Sequence, residues 1–202
     1  MRNRLKLAAS AAVLAMLWQT GAQAVVIDFD GLVGSGTVER GFTYTEDGFV
    51  LDNLRGTDLR SIHSGGFSFT GSVSFANGFG DGITRLTKSG GGVFDLDSID
   101  LDSYNSFEQA VTVTFTGTLL DTSTVTQSFT TDAVFAAMQT FAFGEAFNSV
   151  TKVEWTQAFP FHHFDNIVLD APDVSQVPEP MTLTLLGAGL AGLGAVRRRI
   201  TK

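Results

Sequence analysis

Carboxylates are the abundant polar chemistry of this 202-residue chain. In FDLDSIDLDSY, Asp95, Asp97, Asp100 and Asp102 alternate with apolar residues, so the acids of each half share one face of an extended segment. Such a face reads as solvated, with a superficial Ca²⁺ site as the alternative. A second acidic set opens and closes the central region: Asp28 and Asp30 in VIDFD, and Asp165 beside Asn166 in FDNIVL. Carboxylates, an Asn carbonyl and backbone carbonyls are the oxygens Ca²⁺ takes, six to eight of them at about 2.3–2.6 Å. The competing reading is that Asp165 and Asn166 only hydrogen-bond a neighbouring loop.

Other chemistry is thinner. His63, His162 and His163 lack the further ligands and the cysteines of a zinc pattern, and read as surface or turn residues. There is no Gly-x-Ser-x-Gly elbow, and Lys88-Ser89-Gly90-Gly91-Gly92 leads into a strand where a phosphate loop needs a helix. A glycosidase needs two carboxylates facing one cleft, and nothing in the sequence selects a pair. The chain is therefore expected not to be an enzyme. Trp155 could stack on a sugar face or sit in the core, and Tyr44 and Tyr104 carry the same two readings.

The elements that must position these residues are strands. In AVTVTFTGTL, Val111, Val113, Phe115 and Leu119 face one way and Thr112, Thr114, Thr116 and Thr118 the other. Asp121-Thr122-Ser123 turns the chain, and Thr124–Thr130 returns in phase as a hairpin. Further strands are expected at Val25–Phe29, Phe49–Asn53, Leu59–His63, Val73–Phe75, Val93–Asp97, Ile99–Tyr104, Thr140–Phe143, Val150–Thr156 and Phe164–Leu169, with one or two helical turns over Asp132–Met138. Phe94 and Leu96 share one parity and Ile99 and Leu101 the other, so a bulge or bend is expected at Asp97-Ser98. Short strands separated by glycine-rich turns predict an all-β fold, an antiparallel β-sandwich of jelly-roll type, over residues 25–170. An acidic first strand and an Asp-Asn-bearing last one resemble the jelly-roll domains of extracellular carbohydrate-binding proteins. That resemblance implies adjacent first and last strands with a structural Ca²⁺ between them, held by Asp28, Asp30 and Asp165.

The two ends of the chain read as addresses. Arg2, Arg4 and Lys6, the apolar stretch Leu7–Trp18 and Ala22-Gln23-Ala24 have the order of a secretory signal peptide over residues 1–24, cut after Ala24. Residues 171–176 read as a linker. The remainder, 177–202, has three parts in order: Val177-Pro178-Glu179-Pro180, an uncharged run Met181–Val196, and Arg197-Arg198-Arg199. The prolines make the first part stiff and extended. The run is 16 residues, about 24 Å as a helix against a bilayer core of about 30 Å. A short transmembrane helix stopped by cytoplasmic arginines suits transient anchoring in the inner membrane.

That ordered tail resembles the PEP-CTERM sorting signal of exported proteins in Gram-negative bacteria that possess an exosortase. The resemblance implies an exosortase-type processing enzyme as partner, release to the periplasm, cell surface or extracellular matrix, and a setting of extracellular polysaccharide and biofilm. A non-enzymatic surface protein is the reading this supports, with a carbohydrate-binding module carrying a structural Ca²⁺, or a cryptic glycoside hydrolase, as alternatives. Residues 25–176 hold 6 Lys+Arg against 20 Asp+Glu, a net of about −14. A domain so acidic repels nucleic acid. It has no cysteine, so packing and not disulfides must stabilise it.

Overall fold

The computed structural model describes residues 24–78, 80–104, 109–134 and 136–170. Ala22 and most of the leader, the linker 171–176, and the tail with Pro178, Glu179, Pro180 and Arg197 to Arg199 lie outside the described residues, as does the expected transmembrane helix. Within them no helix is long and apolar enough to cross a membrane.

Alternating side chains produce thirteen strands among the described residues: β1 (Val25–Ile27), β2 (Thr37–Gly41), β3 (Thr43–Glu46), β4 (Phe49–Arg55), β5 (Leu59–Ile62), β6 (Ser74–Asn77), β7 (Gly82–Lys88), β8 (Leu96–Ser103), β9 (Thr112–Leu119), β10 (Thr124–Thr130), β11 (Gln139–Ala142), β12 (Val150–Gln157) and β13 (His162–Leu169). They form two antiparallel sheets. One runs β11-β8-β13-β6-β5-β2 with β1 also on β13, and the other runs β10-β9-β12-β7-β4-β3. Among the described residues every strand pairing and the buried apolar cluster lie between Val25 and Leu169, so the two sheets close on one another within that stretch. The all-β antiparallel expectation holds.

The core is the inward parity of both sheets. Phe115, Trp155, Phe164, Phe75 and Phe29 interlock, with ring centroids 5.3 Å apart for Phe115–Trp155, 5.2 Å for Trp155–Phe164 and 4.3 Å for Phe29–Phe75. The β9–β10 hairpin pairs seven residues without a break, from Thr124 with Thr118 to Thr130 with Thr112. Gly117 on the inward side leaves room for Phe147, Val125 and Val150, which a Cβ there would meet at 3.0–3.2 Å.

The expected irregularity at Asp97-Ser98 is present. β13 steps from Val168 to Leu169 while its partner steps from Ser98 to Leu96, so Asp97 is the extra residue of a bulge and the apolar parity switches there. A second shift follows Asp165, where Asn166 adopts φ 45°.

Three strands went unread. β2 and β3 each carry only one apolar or aromatic side chain, Val38 and Tyr44, and in β7 the inward position is Thr84 while Ile83 points outward, so alternation of apolar residues is lost. The helical turns expected at Asp132–Met138 do not form in the described part of that segment. The Asp132 side chain instead accepts the Val134 N–H at 2.9 Å, Gln139 Oε1 accepts the Asp132 N–H at 2.7 Å, and Ala136 takes φ 57°.

Candidate functional site

The acidic ends of the domain are brought together as their adjacency required. β1 pairs with β13, Val25 opposite Leu169 and Ile27 opposite Ile167. Asp165 is fully buried, whereas Asp30 is exposed. The Ser72 hydroxyl donates to Asp165 Oδ2 at 2.5 Å and the Asn166 N–H to Oδ1 at 2.8 Å. Asp28 Oδ1 accepts the Asp30 N–H at 3.0 Å, and Asp30 Oδ1 accepts the Val73 N–H at 3.4 Å. Burial pushes the Asp165 carboxyl up to about 7, the Ser72 and Asn166 hydrogen bonds oppose that, and the charges of Asp30 and Asp100 add to it. The donors around these carboxylates are N–H and O–H groups. Among the described residues no group of three or more His, Asp or Glu is placed to hold a metal ion. In these contacts Asp165 is a hydrogen-bonded acid.

The Asp95–Asp102 segment is not a uniformly solvated face. Asp102 is fully buried and accepts N–H groups from Ser103 at 2.6 Å and Ala137 at 2.9 Å. Asp100 accepts from the Asn166 amide at 2.9 Å, and Asp95 accepts the Ser149 N–H at 2.7 Å.

Nor are the histidines surface residues: all three are buried. His163 lies between Ser74 and Asp102, its Nδ1 2.9 Å from Ser74 Oγ and its Nε2 3.3 Å from Asp102 Oδ2. The residue types are those of a hydrolase triad, but Ser74, His163 and Asp102 each have zero exposure, and Tyr104 packs edge-on over the imidazole at 5.8 Å. A nucleophile must be reachable, and this one is sealed. His63 Nε2 sits 2.8 Å from both Ser61 Oγ and Arg40 Nη2, and burial, then the Arg40 charge, lowers its pKa. His162 points into the core, where burial first and His163 second push it down to about 3.

Trp155 is 2% exposed, so the sugar-platform reading of it gives way to the core reading. Tyr44 is half-buried and its hydroxyl donates to Glu46 at 3.0 Å. An accessible concave feature among the described residues lies on the outward parity of the second sheet. A groove of about 420 Å³ crosses β9, β12 and β7, lined by Thr112, Thr114, Thr116, Glu154, Thr156 and Ile83, with the buried Trp155 also bordering it. Threonines stand outward here because the same strands turn Val113, Phe115 and Trp155 inward. Arg85 Nε donates to Glu154 Oε1 at 2.7 Å and Lys152 Nζ reaches the same oxygen at 3.3 Å, and these two cations keep the carboxyl below its ordinary range against the opposing effect of its partial burial. Ala158 closes the groove, and the next residue, Phe159, is 65% exposed. This combination of hydroxyls, one ionised carboxylate held by two neighbouring cations, and small apolar patches can hydrogen-bond a polyhydroxylated ligand while covering its C–H faces. Sequence reading identified the threonine alternation but gave it no role. The contribution of β7 went unseen because that strand was not recognised.

Residues 176–199 match the PEP-CTERM protein-sorting motif. The tail therefore carries this signal, which implies export and exosortase-type processing. No curated protein matches the chain. Among solved structures, a family 29 carbohydrate-binding module is similar over 80% of this chain and 98% of its own, with 12% identity and a TM-score of 0.41. A second family 29 module, from Piromyces equi, covers 73% and 89% with 14% identity and a TM-score of 0.38. The family 11 module of a cellulosomal cellulase of Clostridium thermocellum covers 75% and 96% with 13% identity and a TM-score of 0.30.

Proposed function

We propose that the chain is an exported, non-enzymatic protein of the cell surface or extracellular matrix, delivered through an exosortase-type system and associated there with the extracellular polysaccharide of a biofilm. The observation that carries this reading is the sorting motif at residues 176–199. Cleavage near Ala24, transient inner-membrane anchoring through the run after Met181, and release on processing at the Val177–Pro180 element complete the route. The sealed Ser74, His163 and Asp102 support a non-catalytic role. In a host that makes an exosortase, removing residues 181–202 is expected to abolish surface delivery while the chain still crosses the inner membrane. Unchanged surface delivery overturns the reading.

The groove favours a second, compatible reading, that the sandwich is itself a carbohydrate-binding module. Its polar lining suits a neutral glycan, and the net negative charge of residues 25–176 disfavours polyanions. A glycan array probed with residues 25–170 should return neutral oligosaccharides, with binding lost on Thr114→Trp, which fills the groove. An array with no binder removes the module reading and leaves the sorting reading intact.

A further inference from the structure

We infer that this protein pairs with a second copy of itself through the free edge of β10, joining two sandwiches into one continuous sheet. Among the described residues β10 has one strand neighbour, β9, and is the terminal strand of its sheet. A terminal strand leaves a row of backbone N–H and C=O groups facing outward, and such a row is a template for another strand unless it is blocked. Two of the other sheet ends carry blocks. β2 has Glu39 and Arg40 and a register break after Glu39, while β3 has only four residues and carries Glu46. β10, TVTQSFT, has seven residues, no charge, no Pro, no Gly and no break in register.

Both sheets end on the same side. Gln127 of β10 donates through Nε2 to the Ala142 carbonyl at 3.2 Å and accepts the Gly144 N–H through Oε1 at 3.1 Å. Phe129 stacks on Phe141 at 5.0 Å. β11 is the terminal strand of the other sheet and is likewise uncharged. These contacts tie the two sheet ends together, and neither strand carries a charge. In a domain with about 14 more acids than bases, this side of the sandwich is a face that a second copy can approach without setting carboxylates against carboxylates along the strand.

The strand is also self-complementary. A two-fold axis at Gln127 sets Thr124 against Thr130 and Thr126 against Ser128 of the second copy. The same hydroxyl pairing already exists within the chain, with Thr112–Thr130 and Thr114–Ser128 oxygens 2.8 Å apart. The ladder between β9 and β10 then continues across the axis. The two grooves come to lie on one face of a twelve-stranded sheet, where a polymer engages both. The pairing itself holds whether or not the groove binds glycan.

Sedimentation of residues 25–170 should show a monomer–dimer equilibrium that salt strengthens, because Asp121 and Asp132 flank the strand. The double variant Thr126→Lys/Ser128→Lys places lysines opposite lysines and is expected to be monomeric. Thr126→Glu/Ser128→Glu is expected to be monomeric too, and mixing the two should restore a one-to-one dimer. In the parent, amide exchange within Thr124–Thr130 should slow as concentration rises. A parent that stays monomeric, a dimer that survives the lysine pair, a mixture that forms no dimer, or concentration-independent exchange along β10 each overturns the proposal.

Discussion

Arg85 and Lys152 converge on a single oxygen of Glu154, Oε1, at 2.7 and 3.3 Å on the floor of the threonine groove. All three side chains are about a quarter to a third exposed, so solvent screening limits what the pairing adds to stability to about 1 kcal/mol or less. Its consequence is positional: the carboxylate is held ionised at a fixed point among hydroxyls, ready to accept from a ligand. Glu154→Gln is expected to leave the thermal midpoint nearly unchanged and to weaken glycan binding about tenfold, roughly 1.4 kcal/mol. Calorimetric titration with an oligosaccharide bound by the parent checks this, and equal affinities in the two proteins would remove Glu154 from the site.

Asp165 makes stability depend on pH with a defined sign. Its folded value of about 7 stands above the ordinary carboxyl value of 3.8, so between these the native state binds the proton and the unfolded state does not. Stability contributed by this group is therefore full below about 4 and falls as pH rises toward 7. Asp165→Asn keeps the size and the contact to Ser72 without the charge. Above pH 8 it should be more stable than the parent by a few kcal/mol, and at pH 4 the two should converge. Urea unfolding at a series of pH values tests this; a constant difference between the proteins across the series is incompatible with it.

His162 acts in the opposite direction. Its Nε2 has no partner in the core, and its folded value of about 3 lies below the 6.5 expected when unfolded. The unfolded chain takes up the proton first, so stability is lost as pH falls from about 6.5 toward 3. His162→Leu removes the ionisable group and should flatten the acid limb of the stability curve. A limb of unchanged steepness would assign acid unfolding to other groups.

The hairpin β9–β10 and the bulge at Asp97 were legible in the sequence because alternation and its interruption depend only on local parity. The histidines were not. Burial of His163 depends on Ser74 and Asp102, 89 and 61 residues away in the chain, and on Tyr104 lying over the ring. No local pattern records such a layer on the outward side of a sheet. The same holds for Asp165, which is fully buried and takes a hydroxyl donor from Ser72, 93 residues away in the chain. Of the groove, only the threonine row could be read, since Ile83 and Glu154 reach it through strand order.

Trp155 and Phe159 differ in what removing the ring does to the domain. Trp155 is 2% exposed and packs against Phe115 and Phe164, whereas Phe159 is 65% exposed beside Ala158 at the groove's end. Removing a buried aromatic forfeits its transfer energy and leaves a cavity, so Trp155→Ala should destabilise the domain by about 3–5 kcal/mol. Phe159→Ala removes a ring already in water and should change stability by no more than about 0.5 kcal/mol. An exposed ring beside a polyhydroxyl site is positioned to cover a pyranose face, so Phe159→Ala should weaken glycan binding several-fold at unchanged stability. Trp155→Phe, which keeps an aromatic in the core, should bind as the parent does. Denaturant unfolding and glycan titration on these variants decide the matter: weaker binding in Trp155→Phe with none in Phe159→Ala would return the stacking role to Trp155.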